Sequence, residues 1–393
     1  MRKIAVAERR ARLARRHRLA PGHRAAGVVD AAKSMACLHA TDPATVYLSA
    51  WARVDGMAVT DLERALYVDR SIVKHLAMRR TLFVFPRETL AIAQAGASNR
   101  VADAERRRLI RDVERAGLRR DGEAWLSEVA QEVLAVLSDG REATSSELRE
   151  QIPSLEGSIA YGQGKSWGGQ MPVGPRVLTT LSAGGHVVRA SNAGAWTASR
   201  PRWASMMSWL GEEITPLPEG EGMAGLVEQW LAAFGPGTVA DIKWWLGSTV
   251  AAVRKALSDL EAVEVDLDGQ TGYVLPGDLE APDPVEPWAA LLPSLDPTTM
   301  GWLERDWYLG PHRDQLFDRY GNAGATAWWD GRIVGGWRQT DAGEVVLQIL
   351  DEIGAEGRRA LEEEAARLTH WLAGTRVLPR FASPLSKTHA PSK

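Results

Sequence analysis

One order of elements can be read three times along this 393-residue chain: an apolar-periodic helix, a pair of helices joined by a turn, and a short β-hairpin. Such a repeat constrains the fold more tightly than composition does, because each copy is one supersecondary unit carrying its own turn and capping signals. In the first copy a helix covers 28–38, the 40–43 segment turns the chain, and a second helix covers 44–54. Asp42-Pro43 is its start signal: an N-cap Asp accepts orphan amide hydrogens, and Pro at the first helical position forfeits no hydrogen bond. Thr60, with Glu63 three residues on, forms a capping box for a helix through Tyr67. Asp69 opens a helix over 70–77 in the place of a recognition helix, and 81–85 reads as a strand of the wing, ended by Pro86.

The second copy has a helix over 123–137, a capping box at Thr144 and Glu147, a helix over 175–181, and a hairpin of 187–189 with 195–197. The third has helices over 224–234, from Thr238, and over 248–260, then a hairpin of 263–267 and 273–275 around the Asp268-Gly269 turn. The order is that of a winged-helix module. The expected fold is therefore mainly α with α+β: winged helix 1 with its basic N-terminal segment (1–88), a helical connector (89–120), winged helix 2 (121–205) and winged helix 3 (206–280). Beyond a Pro- and acid-rich linker the pattern changes. Strands over 325–329, 332–337 and 344–350, a helix over 355–372 and a short strand near Val377 make a small β-barrel-like or α+β domain (288–393).

Composition narrows the class. There are 47 Lys and Arg against 50 Asp and Glu, so net charge gives no argument for nucleic acid, but its distribution does. Arg2 to Arg24 holds nine basic residues and one Glu, and Arg106-Arg107-Arg108 is a second run, which suits a DNA-facing N-terminal half. Solvated arginine-rich helix faces explain the same asymmetry. No apolar stretch is long enough for a membrane span, and no secretory leader is evident. The single Cys37 excludes an internal disulfide. No phosphate-binding loop, zinc spacing or nucleophile elbow is present, and 162–166 lacks the strand and glycine spacing of a phosphate loop. The expectation is a cofactor-free, metal-free, monomeric protein of the cytoplasm, associated with the nucleoid.

The segment Leu38-His39-Ala40-Thr41-Asp42-Pro43 remains as the place for chemistry. Residue by residue it also has an architectural reading: Asp42 caps a helix, Thr41 turns the chain, and His39 closes the preceding helix. As chemistry, the segment offers an imidazole at His39 and a hydroxyl at Thr41 within three residues. Asp42 is the local carboxylate. Candidate DNA contacts are Arg70, Lys74 and His75 on the expected recognition helix, Arg79 and Arg80 entering the wing, and Trp167 in the 161–174 loop as a stacking or wedge residue. Trp244, Trp245, Trp328, Trp329 and Trp337 read as core residues.

Three stretches carry a family resemblance: 38–43 leading into Val46-Tyr47-Leu48-Ser49-Ala50-Trp51-Ala52-Arg53, then Met78-Arg79-Arg80-Thr81-Leu82-Phe83, and Leu295-Asp296-Pro297-Thr298-Thr299-Met300-Gly301-Trp302. Together with the module order, the chain resembles the winged-helix DNA glycosylases of the AlkZ/YcaQ-like crosslink-repair family. The resemblance implies three tandem winged helices and a C-terminal β-barrel around double-stranded DNA carrying alkylated bases, and hydrolytic release of N-alkylated purines. The family's catalytic pattern is Gln-x-Gln or Gln-x-Asp, which positions a water beside the sugar of the lesion; the matching positions here are His39 and Thr41, so the resemblance implies that His39 takes a proton from that water, its ordinary pKa lying near neutrality, and that Thr41 holds it by its hydroxyl. A non-catalytic DNA-binding protein or regulator is the alternative that this departure leaves open.

Overall fold

Residues 70–77 are not a helix. In the computed structural model, which describes residues 1–162 and 168–387, Arg70 takes a left-handed φ of 53° and ends the preceding helical run. Ile72–Ala77 then pairs antiparallel with Thr81–Pro86, from Ile72 opposite Pro86 to Ala77 opposite Thr81. Both faces of this strand are covered: helix Gly174–Ala183 and strand Val187–Asn192 pack against it, and Ile72, Val73, His75, Leu76 and Ala77 are all buried. A strand buried on both faces loses the polar-apolar alternation by which strands are recognised.

The other elements of the first unit shift by less. The first helix stops at Ser34, where Ala36 turns left-handed (φ 59°), and frees Leu38–His39 to pair with Thr81–Pro86. Asp42 caps the Pro43–Trp51 helix through Ala44 N at 3.3 Å, with Pro43 at its first position. The next helix, Val59–Glu63, is capped by Asp61 rather than Thr60: the Ala58 N–H donates to the Asp61 carboxylate at 2.8 Å. It continues as one wide turn, Arg64–Val68.

The same order recurs twice. Thr144 and Thr238 both make capping boxes, with Glu147 and Asp241, at the starts of Ser145–Gln151 and Val239–Leu246. In each unit a short extended piece ahead of these helices pairs with the second hairpin strand: Leu38–His39 with Thr81–Pro86, Ala143 with Trp203, and Gly237 with Tyr273. In the second unit the hairpin is Val187–Asn192 with Pro201–Ser205, so 195–197 is loop and not wing strand. The third hairpin, Val263–Leu267 with Gln270–Val274, gains a parallel third strand from the N-terminus, Arg2–Lys3.

The following helix, Val6–Arg16, accounts for much of the N-terminal basic run. Arg12, 2% exposed, lies between Glu8 and Asp278 at 2.8 and 2.7 Å. Arg2, Arg15, Arg16 and Arg18 pair with Glu8, Asp283, Asp278 and Asp30. Arg12, Arg15 and Arg16 bind the N-terminal helix to the acidic linker, and Arg2 and Arg18 pair with Glu8 and Asp30, so these arginines do not present a free cationic face.

The C-terminal region is a four-stranded antiparallel sheet, Ala289–Leu292, Thr326–Trp329, Arg332–Gln339 and Val345–Ile349 in that order, with Gly354–Leu372 packed on it. Its edge strands do not meet, so among the described residues no barrel closes; Val377 is loop, its N–H donating to Gln339 Oε1 at 2.8 Å. One hydrophobic core joins the first unit, the third unit, this sheet and one side of the second unit's hairpin (Val188, Ala190, Ala204), while a second, from Leu109 to Trp203, belongs to the second unit.

A buried polar network stitches the joint. Arg53 and Asp296, both fully buried, form a bidentate pair at 2.8 and 2.9 Å. Ser49 donates to Asp296 at 2.6 Å, and Arg53 donates to the Thr298 hydroxyl at 2.8 Å. Thr298 in turn meets His17 Nδ1 at 2.8 Å, and His17 Nε2 meets Ala233 O at 3.1 Å. Four segments distant in sequence are thereby held together.

Candidate active site

His39 stands opposite Phe83 on the short edge strand, with its ring set edge-on to Phe83 at 5.4 Å. Burial, reinforced by the nearby Arg79 guanidinium and opposed by Asp296, holds its pKa down at about 3. The ring is therefore neutral at pH 7. The Thr41 N–H donates to Nδ1 at 3.4 Å, which favours the tautomer with the proton on Nε2. His39 Nε2 thus offers an N–H rather than a lone pair. Thr41 is half-buried, and among the described residues its hydroxyl has no hydrogen-bond partner. Asp42 differs from both. It is 4% exposed, and its oxygens accept from Ala44 N at 3.3 Å and Arg380 N at 2.9 Å. The carboxylate fastens the helix start to the C-terminal tail.

Arg79 and Arg80 occupy the central positions of the 78–81 turn, closed by Thr81 N onto Met78 O. Both φ values are positive, 54° and 60°, the conformation of a type I′ hairpin turn. Arg79 lies over the Trp244 ring at 4.2 Å, and Arg80 pairs with Glu105 at 2.8 Å. The former helix candidates scatter once the segment is a strand. Arg70 stacks on Trp209 at 4.0 Å and donates to its carbonyl at 2.7 Å. Lys74 points to the opposite sheet face from His39, donating to the Tyr67 hydroxyl at 2.7 Å; burial, with help from Arg189, pushes it down to about 8. His75 is fully buried against Phe85 and is no surface contact. Trp167 lies outside the described residues. Of the candidates, His39, Thr41 and Arg79 are the ones brought together.

Sequence reasoning missed two features. Trp244, half-buried and packed against the core, also serves as a platform for Arg79. A cavity of about 530 Å³ also opens beside Asp42, Thr45 and Leu48, walled by Trp337, Arg338 and Arg376. Both depend on segments remote in sequence, and no local pattern announces them. Among the described residues no group of His, Cys, Asp or Glu is arranged to hold a metal ion, and no helix is long and apolar enough to cross a membrane.

The buried histidines make a prediction about acid. Burial holds His17 at about 3, with Arg53 adding to it, and burial holds His75 at about 4. Both are neutral when folded, whereas the unfolded chain protonates them near 6.5, so their stabilisation is complete above pH 6.5 and is lost as pH falls toward the folded values. By pH 5 each loses about 2 kcal/mol. Urea unfolding at pH 7 and pH 5 measures the drop, and His75→Leu removes about 2 kcal/mol of it; an unchanged drop in that variant contradicts the assignment.

Comparison with known proteins places the chain. No curated protein sequence matches it. The structure is similar to that of Streptomyces sahachiroi DNA glycosylase AlkZ, with a TM-score of 0.73 and 21% identity, covering 96% of this chain and 99% of that one. Residues 32–371, which include the His39 strand, the Arg79 turn and the Arg53–Asp296 pair, match the family model for AlkZ-like DNA glycosylases. The chain belongs to the AlkZ-like DNA glycosylase family.

Proposed function

We propose that the protein is a monofunctional DNA repair glycosylase that hydrolyses the N-glycosidic bond of N-alkylated purines, bulky or crosslinked adducts included, in double-stranded DNA. Its three repeated units are winged-helix modules acting as a cradle, and the first is the chemical one. The observation that carries this reading is a difference between the copies. Ala143 and Gly237 pair with their hairpins and lead directly into the caps Thr144 and Thr238, whereas two residues, Ala40 and Thr41, intervene between His39 and its cap Asp42. That insertion sets His39 and Thr41 at an edge beside the Arg79 turn.

The chemistry suits these groups. An N-alkylated purine is cationic, so when its bond to C1′ breaks the electron pair neutralises the base and no general acid is needed. The sugar is left as an oxocarbenium-like species, electrophilic enough that the attacking water needs orientation more than deprotonation. Thr41 Oγ accepts one hydrogen of that water and His39 Nε2–H donates to one lone pair, leaving the other lone pair to form the bond to C1′ as the bond to the base nitrogen breaks; the protonated hydroxyl so formed releases its proton to solvent. A neutral His39 also avoids repelling a cationic lesion. Asp42 serves as the positioning residue of the helix start.

The test is release of free N7-methylguanine from a methylated duplex by the purified protein. Release above the spontaneous rate is expected. His39 and Thr41 in place of the family's glutamines favour a second reading, a DNA-binding protein without excision; duplex binding with no released base, in an assay where a known glycosylase succeeds, establishes that reading instead.

A further inference from the structure

We infer that Arg79, Trp244 and Arg305 form a binding site for one phosphodiester of the DNA backbone, set beside the His39 strand at the joint of the first unit, the third unit and the C-terminal region. The inference rests on the reading that DNA is handled at that strand. Arg79 is exposed at the tip of its hairpin and makes no hydrogen bond or ion pair among the described residues, yet its guanidinium is not loose: it is laid on the Trp244 ring at 4.2 Å. The surroundings are shaped for it. Gly247 ends the Val239–Leu246 helix in a left-handed conformation (φ 61°), and a Cβ there would stand 2.8 Å from Arg79 Cγ. Any other residue at 247 would strain the turn and push Arg79 off its platform.

Arg305 supplies the independent observation. It is 3% exposed and its guanidinium lies 5.1 Å from the centre of the same Trp244 ring and 4.9 Å from Phe317. Nη2 donates to Trp302 O at 2.6 Å, but Nε and Nη1 are buried without a hydrogen-bond partner. Among the described residues no carboxylate stands within ion-pair distance of it. Asp241 and Asp306 act on this guanidinium only from beyond ion-pair distance and Arg313 opposes them, so two of its buried donors stay unpaired, and an anion nearby lowers their cost. The Arg305 field reaches solvent where Trp244 holds Arg79, so Arg79 makes the contact and Arg305 strengthens it from beneath.

The ligand class follows from charge. Two guanidinium groups repel an alkylated, cationic purine, so the site holds the backbone and not the lesion. A phosphodiester offers two oxygens to the planar fork of Arg79. Held there, it offsets the Arg79 charge next to His39 and the developing positive charge on the sugar.

Anisotropy of a labelled, undamaged duplex, titrated between about 50 and 200 mM KCl, tests the site apart from catalysis. Arg79→Ala is expected to lower the slope of log affinity against log salt by about one, the signature of one lost phosphate contact. Trp244→Ala lowers it equally, Trp244→Phe keeps the wild-type slope because a ring remains under the guanidinium, and the Arg79→Ala/Trp244→Ala double variant falls no further. Arg305→Met weakens binding in the wild-type background and not in Arg79→Ala. Wild-type slopes in Arg79→Ala or Trp244→Ala, or additive losses in the double variant, overturn the phosphate site. A protein that binds no duplex at any salt overturns the glycosylase reading together with it.

Discussion

Asp296→Ala is expected to destabilise the folded chain by about 3–5 kcal/mol, because it leaves Arg53 charged, buried and without its carboxylate. Burial by itself would raise the Asp296 pKa; Arg53, the Ser49 hydroxyl and the Thr298 amide outweigh it and hold the carboxyl below its ordinary range. Arg53 places four of its donor contacts within 2.8 to 2.9 Å, on Ser49 O, Asp296 and Thr298, leaving only Nε unpartnered. Removing one partner therefore costs far more than the pair is worth. Replacing both tells the two apart: Arg53→Met/Asp296→Leu, an apolar pair of similar volume, recovers most of the loss. Denaturant unfolding of the two variants measures it. A cost under about 1 kcal/mol for Asp296→Ala means that the pair is not the joint between the first unit and the C-terminal region.

The second large effect is catalytic. Thr41→Ala and His39→Ala are each expected to slow single-turnover excision of N7-methylguanine by about 10²-fold, the scale of one oriented polar group lost from a reacting centre. The double variant slows little beyond the worse single one, because the two groups hold one water and act as a unit. Thr41→Ser keeps the hydroxyl and His39→Gln keeps an N–H donor, so both retain most of the rate. With His39 held at about 3, the rate has no acid limb between pH 8 and pH 5. A rate that falls through pH 6.5 in proportion to histidine protonation makes His39 a general base, contrary to the tautomer that Thr41 N–H imposes.

What could be read in the sequence was local. The N-caps Asp42, Thr144 and Thr238 and the Asp268-Gly269 hairpin turn were legible because each is decided within four residues of chain. Ile72–Ala77 was not, since its second face is covered by helix Gly174–Ala183 and strand Val187–Asn192, and the alternation that marks a strand disappears with it. That one change of period redistributed the candidate site. On a helix Arg70, Lys74 and His75 share a surface; on a strand Lys74 and His75 point to opposite faces, and Arg70 sits in the turn before it.

His39 and Thr41 were found through the family resemblance, and their setting could not be. The neutral state of His39 comes from packing and from Arg79. Trp244 acquires its role from an arginine in another unit, and Asp42 is tied down by Arg380 from the far end of the chain. These relations are tertiary, so they leave no periodicity or spacing to detect. The N-terminal basic residues illustrate the converse: a basic run suggesting nucleic acid was largely matched by carboxylates, Glu8, Asp278 and Asp283 together with Asp30, Asp55 and Asp268.

The most direct test of the central claim, that the chemistry sits on the His39–Thr41 edge of the first unit, measures binding and excision on the same His39→Ala/Thr41→Ala protein. Placement of the chemistry on that edge requires duplex affinity within about twofold of wild type and N7-methylguanine release slowed by about 10²-fold or more. Release at the wild-type rate would contradict it and move the chemistry elsewhere in the molecule.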